Sequence, residues 1–488
     1  SRPRPLPRPM SDPLAVLPLA AAAGGGRLDG LDAPALVAAG VTLLQRSAPL
    51  VRALAGRRSA ILLPTGPAYF VALAASDGRG AVLVNPLAAP AEIAHQLEDA
   101  DVGAVFTTSA LAARLPAEVP RVLLDEAPRA ARVVAGAREQ DVDLTAHRGG
   151  ALDLVGDTAS EGRDEEAVVV YTSAMAGRPL GAILTHRNLI ANARATVEAA
   201  QLTPLDHALA VLPFAHLFGL VVSGVAPLLA GARVTTMERF NPIRAVELIE
   251  STGVTMVVGV PAVFAALLQA LERRGGRLAG GALRLCICGG APLPVALQER
   301  WAEATGVELR QGYGLTEAGP VCLFNRVDRP NRRGTMGTAF PGVEVAIHDP
   351  STGAPLPDGA EGEICVRGPN VGPGYVRDGA LGLPRWGEWL RTGDLGVRDA
   401  DGAVTFRGLC KPMFTRNGFN IYPRELELAI AALPGVRAVT VRAIPEPARE
   451  HDIALDVVGD VTADAVRSWA ADRLSAYKQP SAVTVTPA

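Results

Sequence analysis

Lysine is almost absent from this chain of 488 residues. Lys411 and Lys478 are the only lysines, and the other 45 of the 47 basic residues are arginines. The formal net charge is −3, so no excess of positive charge predicts nucleic acid or an anionic membrane surface as a partner. Because lysine is so rare here, each of the two lysines is a candidate for a specific role.

Cysteines are also few, five in all. An odd count without framework spacing argues against a disulfide scaffold. Cys286 and Cys288 alternate within the apolar string LRLCICGG, and neither a histidine nor a second cysteine pair stands nearby. We therefore expect two buried thiols on one face of a strand rather than metal ligands.

Long apolar runs are scarce. The most apolar long window, residues 214–234, contains His216 as well as glycines and a proline, which favours a buried core helix over a membrane span. The N-terminus combines arginines with an apolar stretch, but Asp12, Pro13 and Pro18 interrupt that stretch and no cleavage site follows. We expect a flexible N-terminus over residues 1–30, no transmembrane segment and a cytoplasmic protein.

Short apolar strings alternate with amphipathic ones in the first part of the chain. AILLPTG, AVLVNP, AVFTTS and RVLLDE are typical of buried strands, and AAPAEIAHQLEDA between two of them is typical of a helix. Residues 335–406 change to strands separated by turns. The predicted fold class is α/β: a large domain over residues 31–408, with α/β layered subdomains and a β-barrel-like subdomain, and a small mobile α+β domain over residues 409–488.

One string predicts nucleotide chemistry directly. Residues 311–317 read QGYGLTE. Its glycines let the backbone approach a flat ligand closely, Tyr313 can stack on a base, and Thr316 and Glu317 offer oxygens for phosphate and Mg²⁺. The string resembles the adenine- and magnesium-binding motif of adenylate-forming enzymes, which include acyl-CoA synthetases, luciferases and peptide-synthetase adenylation domains.

Further strings extend the resemblance over about residues 40–488. WLRTGDLG at 389–396 resembles the ribose motif, in which Asp394 would accept hydrogen bonds from two hydroxyls. LPFAHLFG at 212–219 resembles the acyl-pocket loop, which would place His216 at the carboxylate end; a structural histidine is the alternative. NGFNIYPRE at 417–425 resembles the pantetheine-tunnel loop and is closest to that of fatty acyl-CoA synthetases.

The resemblance implies a set of roles for residues of this chain. Thr316, Glu317 and His216 would be catalytic, with Glu317 the metal ligand, and Lys411 would be the hinge between the domains. The other implied groups are nucleotide-binding residues (Gly290, Ala291, Gln311, Gly312, Tyr313, Gly314, Thr316, Asp394, Thr172, Ser173), acyl-pocket residues (Phe214, His216, Gly259, Gly289, Gly314) and thiol-tunnel residues (Gly418, Phe419, Asn420).

The chain departs from the family pattern where phosphate is handled. Its phosphate loop, expected between a strand and a helix, reads YTSAMAGRPLG at 171–181, with Leu180 in place of the usual lysine. Leu409 replaces an arginine expected near the ribose and phosphate. No lysine can be matched to the C-terminal Gly-Lys loop of the family. Lys478 matches a common family residue, although a solvated lysine at a helix end explains it equally well.

Three hypotheses remain open. In the first, a working ligase uses ATP, Mg²⁺ and coenzyme A to convert a carboxylic acid, on this resemblance a fatty acid, to acyl-AMP and then to a thioester of CoA or of a carrier protein. In the second, a degenerate relative binds nucleotide or acyl-adenylate, or acts as a partner or scaffold, without activating acids. In the third, only the thioester-forming half-reaction remains. A homodimer is also left open.

Overall fold

The computed structural model of the protein describes residues 26–76, 80–145, 165–172, 179–376, 382–410 and 414–486. Proline in the first turn starts several of the helices, where its missing N–H has no helical partner to lose. The described α-helices are α1 Ala33–Arg46, α2 Ala48–Ala53, α3 Pro67–Ala75, α4 Pro90–Asp99, α5 Ser109–Ala112, α6 His186–Ala200, α7 Ala226–Leu229, α8 Pro242–Ser251, α9 Pro261–Glu272, α10 Val295–Thr305, α11 Pro423–Ala431 and α12 Ala463–Arg473.

The first large sheet carries the nucleotide motifs at the ends of its strands. Its order is β17-β16-β15-β14-β13-β11-β12-β1-β2, and the central pairs from β15 to β12 are parallel. The central strands β13 and β14 are apolar and buried, as expected for strands covered on both faces. The members are β1 Arg27–Leu28, β2 Leu31–Asp32, β11 His207–Ala210, β12 Arg233–Thr236, β13 Met256–Gly259, β14 Leu285–Cys288, β15 Leu309–Tyr313, β16 Leu323–Phe324 and β17 Thr338–Ala339.

The second large sheet contains the four predicted strands, here β3 to β6, which pair in parallel with one another. Its order is β20-β10-β9-β4-β3-β5-β6-β7-β8. The members are β3 Arg58–Leu62, β4 Ala81–Leu83, β5 Val102–Thr107, β6 Arg121–Leu124, β7 Ala130–Ala135, β8 Arg138–Asp143, β9 Glu166–Thr172, β10 Leu180–Thr185 and β20 Gly374–Tyr375. The prediction of parallel α/β layers is confirmed.

A third, antiparallel sheet confirms the predicted β-rich subdomain. It contains β18 Glu344–His348, β19 Glu361–Arg367, β21 Arg385–Trp386, β22 Trp389–Arg398 and β23 Val404–Leu409. The C-terminal α+β unit follows, with its own apolar core between its helices and the sheet β26-β27-β28. Its strands are β24 Phe414–Arg416, β25 Phe419–Ile421, β26 Val436–Glu446, β27 Glu450–Gly459 and β28 Ala482–Thr486.

Two expectations about local structure are wrong. Residues 27–30, assigned to a flexible N-terminus, include β1, which pairs in parallel with β12, because Leu28 is fully buried in the core. The phosphate-loop segment connects two antiparallel strands, β9 and β10, instead of a strand and a helix, and Thr172 pairs with Leu180. The helix α6 begins only after β10, with Thr185 as its N-cap.

Most of the apolar window at 214–234 is buried, as predicted, although His216 and Arg233 are exposed. Residues Phe218–Val225 form a π-helix in which every residue is buried, and α7 continues from it. In the described part of the chain, no helix is both long and apolar enough to cross a membrane. Cys286 and Cys288 are fully buried on β14, as expected, and burial raises the pKa of both thiols.

Candidate active site

The predicted motifs converge on one cavity of about 480 Å³. It lies at the carboxyl ends of β14 and β15, where parallel strands bring their following loops to the same edge of the sheet. The second sheet, the third sheet and the C-terminal unit contribute its other walls. Four segments far apart in sequence therefore share one enclosed space.

Tyr313 and Asp394 meet at one end of this cavity. The Tyr313 hydroxyl donates to Asp394 Oδ2 at 2.6 Å. Burial raises the pKa of Asp394 to about 6. The hydrogen bond from Tyr313 lowers this pKa in part, and the nearby charge of Glu363 raises it further. Leu409 pairs with Asp394 across β22 and β23 and lines the cavity, so an apolar side chain adjoins the carboxylate where the family has an arginine. Asp394 can accept two hydroxyl donors, as a ribose presents.

Glu317 lies beside the start of the phosphate loop. Its Oε1 accepts a hydrogen bond from the Tyr375 hydroxyl at 2.9 Å, and Thr172 also hydrogen-bonds to its carboxylate. Burial raises the pKa of Glu317, and these two hydroxyls offset only part of that shift. A half-buried carboxylate among hydroxyl oxygens has the chemistry of a Mg²⁺ ligand. Ser173 and the altered residues 174–176 lie outside the described residues.

Two glycines allow close packing in the cavity wall. A Cβ on Gly314 would lie 1.8 Å from the carbonyl oxygen of Pro320, so no side chain fits there. A Cβ on Gly289 would lie 3.1 Å from both the Gly312 carbonyl oxygen and the Phe218 ring. A side chain at Gly314 would therefore require a shift of the backbone at Pro320, and one at Gly289 would crowd Phe218 in the cavity wall.

His216 lines the cavity, and the residue keeps an exposed surface there. Its Nδ1 accepts a hydrogen bond from the backbone N–H of Phe218 at 3.3 Å, and burial lowers the pKa of the imidazole. The side chain is therefore neutral near pH 7 and carries its proton on Nε2. That N–H is available to donate to an oxygen of a bound acid.

The C-terminal unit covers the cavity with the predicted tunnel loop. Gly418 and Phe419 line it, and Asn420 follows them in β25. The Phe419 ring stacks on Tyr477 with centroids 4.2 Å apart. Gly418 has φ +76°, and its N–H donates to the Glu450 carboxylate at 3.1 Å. The hinge candidate Lys411 lies outside the described residues.

Among the predicted residues whose side chains the structure describes, most meet in the cavity, and Phe214 and Gly259 do not. Phe214 is fully buried against Phe70 and Tyr69, and Gly259 faces Val263 and Phe264 of α9; neither lines the cavity. The predicted residues that line it are Thr172, His216, Gly289, Gly290, Ala291, Gln311, Gly312, Tyr313, Gly314, Thr316, Glu317, Asp394, Gly418 and Phe419.

Tyr375 and Tyr477 line the cavity but were not predicted from the sequence. Tyr375 bonds to Glu317 but stands 58 residues further along the chain, so nothing in the sequence connects the two. Tyr477 belongs to the string AYKQP, in which only Lys478 was singled out, for the rarity of lysine and its match to a common family residue. Lys478 is buried, so its interpretation as a solvated helix-end lysine is wrong.

Comparison with known proteins now identifies the family. Residues 50–376 match the model described as AMP-binding enzyme. The chain belongs to this family. It is 33% identical over 452 residues to a feruloyl-CoA synthase of Amycolatopsis sp, covering 88% of this chain and 85% of that protein. It is 27% identical over 469 residues to a long-chain-fatty-acid–CoA ligase of Bacillus subtilis, covering 88% and 81% respectively.

A solved structure matches both domains of this AMP-binding enzyme in one superposition. It is a malonyl-CoA ligase in a ternary product complex with methylmalonyl-CoA and AMP, at 28% identity, with a TM-score of 0.77 and 98% of each chain covered. The relatives are named as acyl- and aryl-CoA ligases, which gives no support to the hypothesis of a degenerate homologue. The chain is accordingly an AMP-forming ligase of the CoA-ligase type.

Proposed function

We propose that this enzyme activates a compact apolar carboxylic acid with ATP and transfers the acyl group to coenzyme A. The observation that carries the proposal is the shared cavity: Asp394, Glu317, His216 and Phe419 all open into it. An acyl-adenylate needs a ribose acceptor, a phosphate and metal region and an acid pocket in that order, and a thiol must then reach the same carbonyl group.

In the first step, an oxygen of the acid attacks the α-phosphorus of ATP, and the bond to pyrophosphate breaks. Asp394 holds the ribose, Thr316 contacts the α-phosphate, and Glu317 would hold Mg²⁺, which spreads the charge of the phosphates. His216 donates from Nε2 to a carboxyl oxygen of the acid. These are the roles that the positions of the side chains support.

In the second step, the thiolate of coenzyme A attacks the acyl carbonyl carbon and AMP leaves. Phe419 and Tyr477 stand where the C-terminal unit covers the cavity, which suits a passage for the pantetheine arm. The similar malonyl-CoA ligase structure holds a CoA thioester and AMP. Its superposition over both domains supports the view that the present domain arrangement is the thioester-forming one.

The acid is inferred from a small pocket behind the main cavity. Phe218, Gly312 and Val321 border both spaces. The small pocket has a volume of about 10 Å³, and its other walls include Phe324 and Phe340. None of the described residues around it carries a charge, which disfavours acids with a second charge. A space of this size holds about one water molecule, so a long acyl chain has no room to extend from the main cavity at this point. We therefore propose an aromatic or short aliphatic acid, held in the main cavity, rather than the long fatty acid first expected.

The test is an acid panel with ATP, Mg²⁺ and coenzyme A, with AMP and acyl-CoA measured by chromatography. Benzoate, ferulate and hexanoate should give higher kcat/KM than palmitate or malonate. A Phe218→Ala variant removes the ring between the two spaces and should shift the preference towards longer chains. Highest activity with palmitate or malonate in the unaltered enzyme contradicts the proposed substrate class.

A further inference from the structure

Lys478 joins the two domains through two carboxylates. Its Nζ lies 2.7 Å from Glu425 Oε1 in the C-terminal unit and 3.2 Å from Glu92 Oε1 on α4 of the large domain. The three side chains are 5%, 6% and 11% exposed, respectively. We call these residues the Lys478 bridge. A buried ammonium between two buried carboxylates is an unusual arrangement, because each charge loses its hydration and depends on its partners.

Glu92 is held from both sides of the domain boundary. Its Oε2 accepts from the backbone N–H of Ala89 at 3.0 Å, which caps α4. The Ser475 hydroxyl of the C-terminal unit donates to the same oxygen. Both carboxylate oxygens therefore contact the C-terminal unit, one through Lys478 and one through Ser475. The geometry exists only when the two domains lie as they do here.

The carboxylates of Glu425 and Glu92 bind Lys478 from different domains. Glu425 belongs to α11, in the same unit as Lys478, so their bond orients the lysine without crossing the boundary. Burial lowers the pKa of Lys478, but Tyr477, Glu425 and Glu92 raise it further, so the lysine stays charged at neutral pH. The oriented charge then points at Glu92. Of the two bonds of Lys478, only the one to Glu92 depends on the domain arrangement.

The bridge lies directly beside the tunnel residues. Tyr477 precedes Lys478 in the chain and stacks on Phe419, and both rings line the cavity. Fixing Lys478 against α4 therefore fixes the position of Tyr477. A loss of the bridge would let this aromatic pair withdraw from the cavity while leaving Asp394 and Glu317, which belong to the large domain, in place.

We propose that Glu92 and Lys478 form an interdomain ion pair that stabilises the thioester-forming arrangement, with Lys478 as a positioning residue for that half-reaction. This inference rests on the proposed function for its catalytic consequence. The ion pair itself does not, because domain contact can be measured without any reaction.

The primary variant is Glu92→Gln. It removes the charge, while the amide oxygen can still cap α4 and accept from Ser475. Glu98→Gln on the same helix is the matched control, since Glu98 is exposed. Hydrogen exchange on the full chain should rise in residues 89–97 and 475–479 in Glu92→Gln and not in Glu98→Gln. Thioester formation from synthetic benzoyl-AMP and coenzyme A should fall about tenfold in kcat, with ATP–pyrophosphate exchange much less affected.

A double variant separates loss of the ion pair from general destabilisation of the fold. Lys478→Met alone leaves two buried carboxylates without their cation and is expected to unfold more readily. Combined with Glu92→Gln, it should cost less than the sum of the two single changes. Unchanged hydrogen exchange and unchanged thioester formation in Glu92→Gln overturn the inference, as does an equal loss of both half-reactions. If the unaltered enzyme forms no thioester, the proposed function fails, and the hydrogen exchange still decides whether the bridge holds the domains.

Discussion

Asp394→Asn tests whether the cavity binds a ribose through an ionised carboxylate. The pKa of Asp394 is raised to about 6 from its ordinary 3.8. The carboxylate is therefore about 90% ionised at pH 7 and about 10% ionised at pH 5. If only the ionised form accepts both ribose hydroxyls well, affinity for a ribose should weaken by about tenfold over this range.

Adenosine is the suitable probe, because it carries the ribose without a phosphate that titrates near pH 6. Calorimetry should give an affinity that falls about tenfold between pH 7 and pH 5 in the unaltered enzyme. Asp394→Asn should bind adenosine more weakly at pH 7 and show no such pH dependence. Asp401→Asn, a change at an exposed turn, is the matched control.

The same substitution should increase stability at high pH. A carboxylate whose pKa is higher in the folded than in the unfolded state favours folding below pH 3.8, and this contribution is lost as pH rises through about 6. The shift of about two units corresponds to about 3 kcal/mol, an upper value for the gain of Asp394→Asn at pH 8 in urea unfolding. Equal adenosine affinity in variant and unaltered enzyme, with the same pH dependence, refutes the assignment.

Two further substitutions separate the half-reactions. Gly418→Ala places a Cβ 2.6 Å from Val260 Cγ1 at φ +76°, so thioester formation from benzoyl-AMP should fall by at least about tenfold. Gly402→Ala, at φ +82° in open space, is the control. Equal effects of the two substitutions would show that the contact with Val260 is irrelevant. Glu317→Gln keeps the hydrogen bond from Tyr375 but removes the negative charge that would hold Mg²⁺. The rate of ATP–pyrophosphate exchange should therefore fall by about 10²–10³. A normal rate at limiting Mg²⁺ would exclude Glu317 as the metal ligand.

The sequence was sufficient to predict the layers and most of the cavity wall. Parallel strands such as β4 and β5 are buried throughout and almost entirely apolar, so their strings stand out in the sequence. QGYGLTE carries its own turn chemistry, and so its glycines could be assigned locally. Both the apolar strands and this turn are determined by residues that are close together in the sequence.

What the sequence did not predict depends on tertiary contacts or on side-chain direction. Phe214 stands in the acyl-loop string, but its ring packs between Tyr69 and Phe70, which only the position of α3 decides. The bond from Tyr375 to Glu317 and the contact of Lys478 with Glu92 join segments 58 and 386 residues apart. Contacts between residues so far apart in sequence leave no local pattern from which they could be predicted.

The most direct test of the account is ATP–pyrophosphate exchange by this chain with Mg²⁺ and a panel of carboxylic acids. It isolates acyl-adenylate formation, the step that Leu180 and Leu409 in the cavity wall would weaken most. The account predicts exchange that depends on the acid and is strongest with a compact apolar one. No exchange with any acid, in an enzyme that still converts benzoyl-AMP to its CoA thioester, would contradict it and leave only the second half-reaction.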